Sequence, residues 1–161
     1  MGVLLIDARN AFNEGNRKMM VWVARHEWPS GARMLFKFYR HHSSLMIRGE
    51  CGDDAVDLRS REGVTQGCPF SMVGYSLLVL PLIRKMQAEF PEVTSPWYAD
   101  DAMAAGKLGD VMRYFKRLEV VGKPYGYYPE EKKSILVVPK KDTEAANTFK
   151  RESEAAVVMD S

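Results

Sequence analysis

Two short stretches decide the fold: Trp97-Tyr98-Ala99-Asp100-Asp101-Ala102-Met103-Ala104-Ala105 and Val3-Leu4-Leu5-Ile6-Asp7. In the first, a short strand ending at Ala99 and another over Ala102–Ala105 flank two adjacent carboxylates, so Asp100 and Asp101 fall at the tip of a hairpin. In the second, a continuous apolar run predicts a fully buried central strand that Asp7 terminates. Two like charges at a sheet end repel each other and lose hydration. A divalent cation, which takes oxygen ligands, relieves both penalties. Any one of these aspartates alone also reads as an ordinary turn former. If the two strands are neighbours, however, Asp7 and Asp100 approach closely enough to share two metal ions, the arrangement that serves in-line phosphoryl transfer.

Outward from these strands, Asn10, Asn13 and Gly15 mark a turn after Asp7. Met19, Met20, Trp22, Val23 and His26 recur at helical spacing over 16–27, and Trp28-Pro29-Ser30-Gly31 ends that helix. A second helix over 32–41 places Leu35, Phe38 and Tyr39 on one face. Residues 44–48 and 55–59 read as strands joined across Gly49–Asp54, with Asp53 and Asp54 at a solvated tip. The loop Glu62-Gly63-Val64-Thr65-Gln66-Gly67-Cys68 precedes a long helix that Pro69 opens and Pro81 kinks. A helix over 110–121 presents Val111, Tyr114, Phe115 and Leu118, a polar loop spans 123–133, and 135–138 is a strand. Beyond Pro139 the chain is charged and alanine-rich, with a helix predicted over 143–154. This order favours an α+β fold, an antiparallel β-sheet with helices packed on one face.

A chain of 161 residues, 46% hydrophobic and 27% charged, is ordinary globular material, which excludes disordered, collagen-like and coiled-coil classes. A net charge of +2 is modest for a generic nucleic-acid binder but leaves room for a local basic groove. Arg17, Lys18, Arg25, Arg33, Lys37 and Arg40 either line such a path or form the outer face of two amphipathic helices. Cys51 and Cys68 build no disulfide scaffold, so a reduced, intracellular setting is expected, nucleus or cytoplasm not distinguished. With His41 and His42 they also lack zinc-ligand spacing. No stretch reaches the roughly 20 apolar residues of a membrane span.

Set beside Gly63-Val64-Thr65-Gln66-Gly67-Cys68-Pro69-Phe70-Ser71, the carboxylates complete a pattern that resembles a reverse transcriptase palm domain. Motif A resembles Asp7 with Ala11-Phe12, motif B the Gly63–Ser71 segment, motif C Tyr98-Ala99-Asp100-Asp101, and motif D the run from Gly126 to Lys133-Ser134. The Gln-Gly-Cys-Pro form and the lysine-serine ending look most like non-LTR (LINE-type) retrotransposons, and group II intron enzymes share the Tyr-Ala-Asp-Asp form. The resemblance covers 1–138 as the palm, with 139–161 a charged continuation toward a primer grip.

The resemblance implies an RNA-directed DNA polymerase core that adds deoxynucleotides to a primer 3′-hydroxyl. Asp7 and Asp100 would ligate two Mg2+ ions (Mn2+ the alternative), with Asp101 a weaker or indirect ligand. Ala8 and Ala11 would meet the incoming triphosphate. Phe12 would exclude a ribose 2′-hydroxyl, Gln66 and Gly67 would lie against the nascent base pair, and Lys133 would face the pyrophosphate, with Lys132 its competitor. The implied partners are an RNA template, a DNA primer and deoxynucleoside triphosphates, with no membrane. Fingers and thumb segments would be expected in the full-length protein, and the isolated chain is expected to turn over little or not at all. Glu130 stands where LINE-type enzymes usually carry asparagine. Two other readings remain: a truncated or degenerate palm that binds metal and nucleic acid weakly, and an RNA-dependent RNA polymerase palm, against which Phe12 argues.

Overall fold

The computed structural model describes residues 1–48, 55–139, 147–149, 151, 153 and 155–160. The predicted connection at 49–54, with Cys51, Asp53 and Asp54, lies outside them, as does most of the helix predicted over 143–154, of which 147–149 are helical. Contacts divide the chain into two compact units, Met1–Ala11 with Val79–Ser161, and Phe12–Leu78.

The first unit is built on a five-stranded sheet of β1 (Gly2–Ile6), β4 (Trp97–Tyr98), β5 (Asp101–Gly106), β6 (Ile135–Pro139) and β7 (Ala156–Asp160), in the order β4-β5-β1-β6-β7. β1 is central and antiparallel to both neighbours, with Leu4 opposite Ala104 on one side and Leu136 on the other. Even-numbered residues therefore share one face, and Leu4, Ile6, Ala102, Ala104, Leu136 and Val138 are all buried there. Helix α5 (Leu108–Val121) packs on this face through β1 and β5. Its Val111, Tyr114, Phe115 and Leu118 recur at i, i+3, i+4 and i+7, and all four are buried as the spacing predicted. Each such side chain contributes about 1.5–3 kcal/mol by leaving water. The end of α4 (Ser71–Glu89) joins α5 through an Arg117–Glu89 pair at 2.6 Å and an edge contact of Phe90 with Tyr114.

Two expectations are corrected by the sheet. β1 is central but not fully buried: Leu5, on the odd face, is 40% exposed. Its flanks are covered by strands, so its backbone is satisfied, while a helix covers the even face. The sheet is also not purely antiparallel, because β7 pairs with β6 in parallel, Leu136 opposite Val157. The charged composition before Ala155 masks the short apolar run that forms β7.

In the second unit, α2 (Arg17–Glu27) begins on Asn16, whose side chain accepts from the Met19 amide at 3.1 Å. The break to α3 (Pro29–Tyr39) is one residue, Trp28, with Pro29 as the first helical position. Thus α3 starts three residues earlier than predicted. Met20, Val23, Ala24, Leu35 and Tyr39 are buried, whereas Trp22 is 59% and Phe38 55% exposed, so neither belongs to the core face expected of it. β2 (Ser43–Arg48) and β3 (Ala55–Ser60) form the expected antiparallel hairpin. Helix α4 starts at Ser71 rather than Pro69, because Ser71 donates its amide and hydroxyl to the Cys68 carbonyl at 3.0 and 2.7 Å and closes a turn first. It continues through Pro81 to Glu89.

Gly63 holds the loop before α4. Its amide donates to the Gly15 carbonyl at 2.7 Å, Val64 donates to Phe12 at 2.6 Å, and its φ is +71°. A Cβ there would lie 2.2 Å from the Phe12 carbonyl oxygen. Gly63→Ala is therefore expected to cost about 3 kcal/mol, from the left-handed backbone and the clash with main chain that cannot yield. Urea denaturation reads this directly, and Gly67→Ala, with nothing near its would-be Cβ, serves as the comparison for backbone strain alone.

Candidate active site

The two strands that carry the carboxylates are neighbours. β1 and β5 pair as far as Ile6 opposite Ala102, and continuing that register sets Asp7 opposite Asp101. Both are odd-numbered, so the two-residue period that buries Ile6 and Ala102 turns Asp7 and Asp101 to the open face with Leu5 and Met103. They line one cleft of about 440 Å³, whose walls include Trp97, Tyr98 and Lys133.

Asp100 sits beside it in the turn. Tyr98 pairs with Asp101, which leaves Ala99 and Asp100 as a two-residue hairpin loop. Of the two, Ala99 alone has a positive φ, +54°, the pattern of a turn that favours glycine at its first loop position. Beneath this turn Tyr127 is buried, its hydroxyl donating to the Asp100 carbonyl at 3.4 Å and its ring 5.1 Å from that of Trp97. No periodicity in the sequence points to Tyr127 or Trp97 as supports of the carboxylate turn; only the folded hairpin reveals them.

The segment after β1 is tied to the Gly126–Ser134 loop. Glu130 donates its amide to the Asp7 carbonyl at 2.8 Å, Arg9 donates to Tyr128 at 2.8 Å, and Ala8 bridges to Pro129. The chain then makes a 3-10 turn over Glu131–Lys133, closed by buried Ser134, whose hydroxyl donates to the Glu130 carbonyl at 2.9 Å. This turn delivers the Lys133 ammonium to within 3.5 Å of Asp7 Oδ2. Geometry thus selects Lys133 rather than Lys132 as the lysine paired with Asp7. Glu130, the departure noted in the sequence, contributes its backbone to this junction.

Carboxylate oxygens are the donors that a hard divalent cation takes, and the Lys133 ammonium shows that Asp7 accepts a positive charge at this point. Among the described residues no three His, Cys, Asp or Glu side chains converge into a closed metal cage. Mg2+ commonly binds through one or two carboxylates, water and substrate phosphates, so the donor set fits it.

Ala8 and Ala11 belong to the same unit and are buried. The remaining candidates lie in the second unit. Phe12 stacks on Tyr75 with ring centroids 4.7 Å apart, and Gln66 and Gly67 are exposed on the loop before α4, Gly67 with φ +85°.

Arg17 lines a cleft between α2 and α3 and is not on the outer face of its helix. It is buried at 5% exposure, with Nε donating to the Gly63 carbonyl at 2.6 Å and the terminal nitrogens to the Ser60 carbonyl and hydroxyl at 2.9 and 2.8 Å.

A central antiparallel β1 with a carboxylate hairpin beside it and α5 on the opposite face make up a reverse-transcriptase-like fold. Solved structures that share it include telomerases. Apo telomerase from Candida tropicalis aligns with a TM-score of 0.68 at 10% identity, covering 87% of this chain and 28% of that one. The same enzyme in complex with a TWJ fragment of telomeric RNA aligns at 0.63 and 12%, covering 84% and 25%. Telomerase from Candida albicans aligns at 0.52 and 11%, covering 86% and 27%. This chain therefore spans less than a third of the telomerase chains it matches. No family model matches it, and no curated protein matches it. No helix among the described residues is long and apolar enough to cross a membrane.

Proposed function

We propose that this chain is the catalytic palm of an RNA-directed DNA polymerase of non-LTR retrotransposon type, adding deoxynucleotides to a primer 3′-hydroxyl on an RNA template. The observation that carries this reading is the register of β1 against β5, which sets Asp7 opposite the Asp100-Asp101 hairpin with Lys133 at 3.5 Å. Asp7, Asp100 and Asp101 are the residues that would hold two Mg2+ ions. Those ions, when bound, lower the pKa of the attacking hydroxyl and stabilise charge on the transferred phosphoryl group. The motif resemblance gives the backbone from Ala8 toward Ala11, which follows Asp7 in the chain, the role of meeting the triphosphate. Lys133, 3.5 Å from Asp7, would neutralise the departing pyrophosphate or give it a proton. The motif resemblance gives Phe12 the role of disfavouring a 2′-hydroxyl and Gln66 with Gly67 that of lying against the nascent base pair.

Manganese titration followed by electron paramagnetic resonance tests the metal half of this reading. Wild-type chain is expected to bind Mn2+, and Asp7→Asn to bind at least tenfold more weakly, because one of the few carboxylates available is lost. Equal binding by wild type and variant would overturn the assignment of Asp7.

A further inference from the structure

Helices α2 and α3 enclose, with Arg61 and His42, a second cleft of about 680 Å³ that lies wholly within the Phe12–Leu78 unit. Its rim is basic. Lys18, Arg25, Arg33, Arg40 and Arg61 all line it, all are exposed, and among the described residues none forms an ion pair. The acidic lining residue, Glu62, already accepts the Arg17 amide at 3.1 Å. Between the basic groups stand two large exposed rings: Trp22 at 59% and Phe36 at 45% exposure, with the Arg40 guanidinium 5.6 Å from the Phe36 centroid.

Five unneutralised cations held around one depression repel each other, so this cleft favours a polyanion. Guanidinium forks match phosphate geometry, and exposed indole and phenyl faces offer platforms to bases that are not already stacked in a duplex. An acidic peptide would satisfy the charge but would leave Trp22 and Phe36 without a specific role. We infer that the α2–α3 cleft binds single-stranded nucleic acid, its phosphates on the arginines and its bases on Trp22 and Phe36. The inference rests on the chemistry of this cleft alone and does not require the carboxylate site to be catalytic.

Fluorescence anisotropy of a labelled twelve-nucleotide oligo(U), with oligo(dT) in parallel, tests it on the 161-residue chain in EDTA. Without divalent cations, metal-bridged binding at the carboxylates makes no contribution, so failure in this assay and failure of the polymerase reading are separate results. Arg25→Ala combined with Arg33→Ala is expected to weaken binding and to reduce the slope of log K against log salt by about 0.7 for each phosphate that is no longer neutralised. Trp22→Ser is expected to weaken binding roughly tenfold while leaving that slope unchanged, because stacking releases no counterions. All three residues are exposed, and a thermal melt of each variant checks that the fold is intact. Affinity and slope unchanged in both variants, or displacement of the oligonucleotide by poly-glutamate at equal charge concentration, would overturn the inference.

Discussion

Asp7→Asn and Asp100→Asn are each expected to lower nucleotide addition by about a thousandfold or more while leaving the fold intact. Asparagine keeps the shape of aspartate but removes the charge that holds a divalent ion. Loss of metal-derived stabilisation of the transferred phosphoryl group amounts to several kcal/mol, and each 1.36 kcal/mol is a factor of ten in rate. The fold is expected to survive because the structural work of Asp7 is done by its carbonyl, which accepts from Glu130, and that of Asp100 by its carbonyl, which accepts from Tyr127. Single-turnover kinetics of one-nucleotide addition measures the effect. Asp101→Asn gives a milder loss if Asp101 is the weaker ligand, as the motif implies. Its place on the open face opposite Asp7 makes that comparison informative.

Arg17→Met is expected to destabilise the Phe12–Leu78 unit by about 3–5 kcal/mol, although Arg17 touches no candidate catalytic residue. Removing the guanidinium leaves the buried Gly63 carbonyl and the part-buried Ser60 carbonyl without their donor, and an unsatisfied buried group costs about 1–3 kcal/mol. It also removes the cation over the Tyr39 ring, 5.5 Å from its centroid. Burial lowers the Arg17 pKa from its ordinary value, while Glu62 and Tyr39 act in the opposite direction, and the group remains charged at neutral pH. With a urea m value of about 1–3 kcal/mol/M, the midpoint is expected to fall by roughly 2 M. Arg17→Lys retains the charge but loses the fork, so it is expected to recover less than half of the loss. A midpoint unchanged by Arg17→Met would show that the buried guanidinium does not hold the Gly63 loop and β3 together.

The sheet and its carboxylates were legible because their signals are local. The run at 3–6 and the pair Asp100-Asp101 mark strand and turn by composition alone, and the 3.6-residue spacing of Val111, Tyr114, Phe115 and Leu118 names the covering helix. Features that depend on partners distant in sequence were not legible. Arg17 looks like any basic residue at the start of an amphipathic helix until β3 and the Gly63 loop bring their carbonyls to it. Leu5 and Trp22 look like core residues until the sheet and the helix pair reveal which face is covered. Lys133 and Lys132 are indistinguishable in sequence, and the 3-10 turn closed by Ser134 settles which of them reaches Asp7. The strand β7 is not legible in the sequence because its parallel partner, β6, lies across a charged segment.

Primer extension on an RNA template bears most directly on the polymerase reading, run with the chain in excess over primer so that slow turnover remains visible. With Mg2+, DNA product is expected in the deoxynucleotide lane, little in the ribonucleotide lane, and none from Asp100→Asn. Product from ribonucleotides as readily as from deoxynucleotides, or as much product from Asp100→Asn as from wild type, would overturn that reading.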